Sequence, residues 1–156
     1  MRVLRKYVAT FLKYGTLISS LGLIVSTVIQ IYARFYMESA PSWTEESARF
    51  FFIYAMAFAS GLAMKDGFYV HFDVFFNKLG KNLQRWVTHG ISFLTIALFM
   101  VLMLYGIQFV IQGLPERSPS LEVPMSIAFG SMILMGLSVS FFALLDFLKT
   151  LKKQKS

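Results

Sequence analysis

Two carboxylates and one guanidinium occur close together in one short segment, residues 41–49, where they could form ion pairs. Glu45 precedes Arg49 by four residues and Glu46 precedes it by three, spacings at which ion pairs form along a helix. Ser42 and Glu45 have the spacing of a capping box, which predicts that a helix begins directly after Ser42. The carboxylates would then lie in the first turn, where the helix dipole stabilises negative charge. The segment therefore predicts a capped helix start with ion pairs.

The two histidines, His71 and His89, are the other candidates for chemistry. A membrane di-haem cytochrome needs facing pairs of histidines on its transmembrane helices, which two histidines cannot supply. A single haem shared by both histidines is conceivable, but we do not favour it. The chain contains no cysteine, which excludes disulfide exchange, thiol nucleophiles and cysteine-ligated metals. We therefore expect no cofactor and no enzymatic activity.

Four stretches without a charged side chain make up most of the chain: Tyr14–Ala33, Phe50–Met64, Trp86–Pro115 and Val123–Leu145. Three are long enough to cross a bilayer as helices, which takes about 20 residues. The second is long enough only if its helix begins near Trp43, because Trp43 to Met64 then extends about 33 Å. The sequence predicts an all-α membrane protein that is one domain over residues 1–156, with four transmembrane helices near 14–35, 43–64, 86–112 and 123–146.

Basic residues alternate between the segments that connect these stretches. The N-terminal segment, the second connection and the C-terminal tail each hold four Lys or Arg, together twelve of the 15 in the chain. The positive-inside rule therefore places both termini in the cytoplasm. The net charge of +7 does not indicate a nucleic-acid partner, because the basic residues flank apolar spans instead of forming one soluble face.

The connection between the second and third helices has a pattern of its own. Lys78, Lys81 and Arg85 recur every three or four residues among apolar and aromatic side chains. This spacing predicts an amphipathic segment in the membrane interface, with these three residues as candidates for contact with lipid headgroups. A solvated basic loop is the alternative, although the many aromatic side chains favour the interface.

Small residues recur at helical spacing on the first two spans: Gly15, Ser19, Gly22 and Ser26 on the first, and Ala57 and Gly61 on the second. Small faces let helices approach closely in lipid, where van der Waals contact drives association. Two interpretations remain open. The faces either pack the helices of this chain together or contact a partner subunit.

A specific pattern flanks the second span. Trp43-Thr44-Glu45-Glu46 and Ala48-Arg49-Phe50 precede it, and Lys65-Asp66-Gly67 follows it, with Asp73 six residues later. This pattern resembles the small membrane (Q) subunit of the tripartite ATP-independent periplasmic (TRAP) transporters. Over the rest of the chain the resemblance depends on length and on the four-span plan. One departure is Tyr69, which stands where many members have histidine.

The resemblance implies a non-catalytic scaffold subunit in the inner membrane of a bacterial cell. Its partners would be a large TRAP membrane subunit of about a dozen helices and a periplasmic substrate-binding protein. The large subunit would carry out sodium-coupled uptake of a carboxylate solute such as sialic acid or a C4-dicarboxylate. An outer-surface motif, made of Trp43, Glu45, Glu46 and Arg49, would fix the position of the second helix. An inner-loop motif, made of Gly67 and Asp73, would mark the other end of that helix.

A self-contained transporter or channel that works as a homo-oligomer is the rival hypothesis. Ion and proton pathways through membranes are usually marked by ionisable side chains within the spans. The interiors of the four stretches contain no Asp, Glu, Lys or Arg. The sequence therefore favours the scaffold subunit.

Overall fold

Four α-helices make up the computed structural model, which describes residues 2–36, 41–67 and 80–154. We label them α1 (Arg2–Tyr36), α2 (Ser42–Asp66), α3 (Lys81–Gln112) and α4 (Ser126–Gln154). Each is long and apolar enough to cross a membrane, judged by length and composition. Within the described ranges the only β-type pairing is an isolated bridge between Arg117 and Pro124. The predicted all-α class with four membrane-spanning helices is confirmed.

All four helices extend beyond the predicted spans on the basic side, α2 only to Asp66 and α4 as far as Gln154. α1 begins at Arg2, twelve residues before the predicted span, because Ala9 and Leu12 continue its packed face among the basic residues. α3 begins at Lys81, where the amide of Gln84 donates to the Gly80 carbonyl at 3.0 Å. Lys81 and Arg85 therefore belong to the start of α3, and their side chains lie outside what the structure describes. Lys78, Asp73, Tyr69 and His71 also lie outside the described residues, as does the predicted amphipathic segment before Gly80.

The helices are not packed in chain order. α2 lies between α1 and α4, and α3 packs against α4. Because α2 and α4 run in the same direction, the start of α2 and the connection between α3 and α4 share one end of the bundle. We call it the outer end, after the orientation predicted from charge. At the opposite, inner end, Ala9 and Leu12 of α1 form a buried cluster with Phe142 of α4.

The closest approach of three helices is at Gly61 of α2. A Cβ atom at this position would lie 2.6 Å from Cβ of Ser138 on α4 and 2.8 Å from Cδ1 of Leu12 on α1. Both neighbours are buried, and Cβ of Ser138 is attached directly to the α4 backbone. Only glycine fits here without a shift of a neighbouring helix.

Gly67 ends α2 for a different reason. Its φ of 71° lies in the left-handed region, and its amide donates to the carbonyl of Met64 at 3.4 Å. Such a glycine after the last helical turn is a common way to end a helix. The Gly67 of the family pattern therefore has a local structural role that does not require a partner.

We predict that Gly61→Leu destabilises the bundle by about 2 kcal/mol or more, because overpacking forces neighbouring helices apart. Gly90→Leu is the matched control, since a Cβ at Gly90 on α3 meets nothing within 4 Å. Both changes replace a helical glycine, so both gain the same helix propensity. Thermal unfolding of the purified chain in detergent measures the difference. Equal melting temperatures for the two variants would contradict the packing assigned to Gly61.

Candidate functional site

The outer end contains most of the predicted motif, beginning with the first turn of α2. The helix starts at Ser42 with Pro41 as its N-cap, and no side chain caps it. The capping box predicted between Ser42 and Glu45 is therefore wrong. Instead the Thr44 hydroxyl, which is fully buried, donates to the Pro41 carbonyl at 2.7 Å. The Thr44 amide also donates to the Pro41 carbonyl, at 3.2 Å, so the first turn is closed by the backbone.

The two adjacent carboxylates of the motif have different partners. Glu45 forms the predicted ion pair with Arg49 one turn later, and both side chains are largely exposed. Glu46 instead reaches the connection between α3 and α4. Its Oε2 accepts hydrogen bonds from the amides of Ser120 at 2.9 Å and Leu121 at 2.8 Å. We call this set of three residues, Glu46, Ser120 and Leu121, the outer clamp.

The connection that receives Glu46 is a small hairpin. The Ser118 amide donates to the Val123 carbonyl at 2.9 Å, and the Met125 amide donates to the Glu116 carbonyl at 3.0 Å. The turn between them closes at Glu122, whose φ is 54°, and the Arg117 side chain donates to the carbonyl of Glu122 at 2.9 Å. These bonds hold the tip so that two successive amides point towards α2.

The outer clamp joins backbone amides to a carboxylate 74 and 75 residues away in the chain. Both hydrogen bonds are part-buried, and a charged acceptor makes the stronger kind of hydrogen bond. The Ser118 hydroxyl is buried beside the same carboxylate, although it forms no hydrogen bond of good geometry there. The clamp therefore fixes the hairpin of the α3–α4 pair on the first turn of α2.

A second polar link joins α2 to α4 about two turns further along α2. The Tyr54 hydroxyl donates to the Ile127 carbonyl at 2.7 Å. It approaches closely because Gly130 has no side chain, and a Cβ there would stand 3.3 Å from the hydroxyl. Trp43, the aromatic residue of the motif, stays 44% exposed at the start of α2, which suits a side chain at the membrane interface.

The predicted small faces meet helices of the same chain. A Cβ atom at Gly15 would lie 2.6 Å from the ring of Phe58, and a Cβ atom at Gly22 would lie 2.6 Å from the ring of Phe51. Ser19, which lies between the two glycines, and Ser26, which follows them, are buried, as is Ala57 on α2. The face of α1 thus packs on α2, and Gly61 on α2 faces both α4 and α1. Contact within the chain is one of the two interpretations that the sequence left open.

The remaining candidates form no chemical centre in the described parts of the chain. The ring of His89 packs edge-on against Phe147, with centroids 5.7 Å apart. Within residues 2–36, 41–67 and 80–154, no group of three His, Cys, Asp or Glu side chains is close enough to hold a metal ion.

We predict that Glu46→Ala releases the hairpin while leaving the helices in place. The amides of Ser120 and Leu121 would lose their acceptor, and their hydrogen exchange should accelerate on the order of tenfold. Glu45→Ala is the control, because it removes an equal charge from the neighbouring position and breaks only an exposed pair. Mass-spectrometric hydrogen exchange of the hairpin peptide measures both. Unchanged exchange in Glu46→Ala would rule out the clamp.

Comparison with known proteins identifies the family of the chain. Residues 23–153 match the family described as "Tripartite ATP-independent periplasmic transporters, DctQ component". The isethionate TRAP transporter permease protein DctMQ of Oleidesulfovibrio alaskensis is 34% identical over 91 residues, which cover 55% of this chain and 14% of the relative. The chain thus spans only a small part of that relative's length. Because the family match includes α2, α3, most of α4 and the outer clamp, the chain belongs to the DctQ component family of the tripartite ATP-independent periplasmic transporters.

Proposed function

We propose that the chain is the small, non-catalytic permease subunit of a sodium-coupled TRAP transporter. The observation that carries this proposal is the family match over residues 23–153. The four apolar stretches contain no Asp, Glu, Lys or Arg, which supports the proposal. A subunit that moved ions or protons itself would be expected to carry ionisable side chains of this kind within its spans. The subunit would lie in the bacterial inner membrane with both termini in the cytoplasm.

The role of the subunit is to enlarge the fixed part of the transporter, against which the large membrane subunit moves its solute. Three features support a rigid role: the outer clamp, the Tyr54 link and the close contacts of α2 with α1. Since the small faces of α1 and α2 are used within the chain, the large subunit would contact surfaces that remain exposed. The outward faces of α1 and α3 provide them, with Phe35 at 83% and Ile111 at 61% exposure.

The transported solute is an anion that a periplasmic binding protein delivers. The relative's name specifies isethionate, which is a sulfonate, whereas the family resemblance implies a carboxylate such as sialic acid or a C4-dicarboxylate. Both classes carry a negative charge. Substrate and sodium sites would belong to the large subunit, so variants of this chain should change the transport rate and leave the choice of solute unaltered.

Uptake into proteoliposomes tests the proposed division of labour. The chain alone should give no uptake, with or without a sodium gradient. Together with the large subunit and the binding protein, it should support sodium-dependent uptake that is lost when the chain is omitted. Uptake by the chain alone would overturn the proposal in favour of a self-contained homo-oligomeric transporter.

Because the chain has no cysteine, single introduced cysteines can locate the large subunit. Phe35→Cys and Ile111→Cys place one thiol near the outer end of α1 and one near the outer end of α3. We expect maleimide labelling of at least one to slow markedly in the assembled complex. The other position is the internal control if only one is covered. Undiminished labelling of both in the complex would contradict packing through these faces.

A further inference from the structure

A basic groove opens between the N-terminal half of α1 and the C-terminal end of α2, at the inner end. Its volume is about 680 Å³, and it is lined by Arg5, Lys6, Ala9, Thr10, Lys13, Leu62, Lys65 and Asp66. The basic side chains come from two helices, so the groove forms only when α1 packs on α2. The groove is at the opposite end of the bundle from the outer clamp. Of the residues in the family pattern, it includes only Lys65 and Asp66.

The groove has an excess of positive charge that the described residues do not neutralise. Lys65 pairs with Asp66 at 3.1 Å, and among the described residues no ion pair involves Lys6 or Lys13. Arg5 donates through Nη2 to the Lys65 carbonyl at 3.2 Å, near the negative end of the α2 dipole. Its Nε is buried and has no hydrogen-bond partner in the described part of the chain. An anion in the groove would meet two exposed ammonium groups and one guanidinium.

The position of the groove relative to the membrane indicates which anion is available there. Lys13 directly precedes the charge-free stretch of α1, and Lys65 directly follows that of α2. Ala9 and Leu62 form an apolar wall between the charges. Beside the groove, Phe11 and Tyr14 are 61% and 60% exposed on the same helix. The groove therefore lies across the boundary between hydrocarbon and headgroups, with apolar surface leading from it towards the acyl chains.

We propose that this groove binds the phosphate of one anionic phospholipid, with Lys6, Lys13 and Arg5 as its ligands. Basic residues near an anionic leaflet attract its lipids, and their attraction adds up over neighbouring side chains. A free phosphate ion would satisfy the charges but would gain nothing from the apolar wall. The lipid holds α1 to the end of α2 at the same level as the bond between Arg5 and Lys65. This inference depends on the membrane location and not on the proposed transport role.

Lipid titration of the purified full chain tests the proposal. Phosphatidylglycerol added to the protein in detergent should raise the melting temperature, since a ligand that binds only the folded state stabilises it. Phosphatidylcholine and inorganic phosphate at equal concentrations should not. In the double variant K6Q/K13Q the half-saturating concentration of phosphatidylglycerol should rise roughly tenfold. Arg5 is left intact, because its bond to Lys65 contributes to the fold.

The double variant K152Q/K153Q is the control, because it removes the same charge from the C-terminal segment, which the positive-inside rule assigns to the same side of the membrane. It should bind phosphatidylglycerol as the original chain does, and native mass spectrometry should show one retained lipid that K6Q/K13Q loses. Equal stabilisation of all three proteins, or equal stabilisation by inorganic phosphate, would overturn the proposal. Loss of the retained lipid when the large subunit binds would assign the groove to that subunit instead.

Discussion

The close approach of α2 to its two neighbours is the constraint on which the other features of the bundle depend. Lipid tails are as apolar as the side chains that face them, so helices in a membrane associate chiefly through van der Waals contact and polar links. Gly61 allows contact with Ser138 and Leu12 at one level. Phe58 over Gly15 and Phe51 over Gly22 extend the interface with α1 along two further turns. These contacts set the separation at which the Tyr54 hydroxyl and the Glu46 carboxylate reach their partners.

Polar side chains within the helices contribute to packing without forming a pathway. Hydroxyl groups of Thr16, Thr27 and Ser60 donate to carbonyls three or four residues earlier in their own helices, at 2.8–2.9 Å. Ser131 and Ser138 on α4 do the same at 2.7 and 3.1 Å. A hydroxyl that is satisfied by its own helix can lie in hydrocarbon or at a helix contact at little cost. These residues thus behave as small packing residues, which accords with charge-free stretches that hold no Asp, Glu, Lys or Arg.

Apolar length and charge in the sequence were sufficient to predict the four helices, because both are local properties of the chain. The pair of Glu45 and Arg49 was equally accessible, since its geometry follows from helical spacing. The partner of Glu46 was not, because it lies on a hairpin whose position depends on how α4 packs beside α2. The small faces also did not reveal which helices pack against each other. Gly15 and Gly22 show that α1 has a contact face, yet nothing in their spacing identifies α2 as the helix that covers it.

The arrangement of contacts opposes sliding of the helices past one another. A shift of α2 by one turn, about 5.4 Å, would lift Phe58 from Gly15 and break both hydrogen bonds of the outer clamp. It would also bring a side chain against Leu12 and Ser138 where Gly61 now stands. These costs arise at opposite ends of α2, so no small local adjustment relieves them together. Packed elements of this kind change between discrete arrangements instead of deforming continuously. A chain with this packing is suited to hold its shape while another subunit moves, as the proposed scaffold requires.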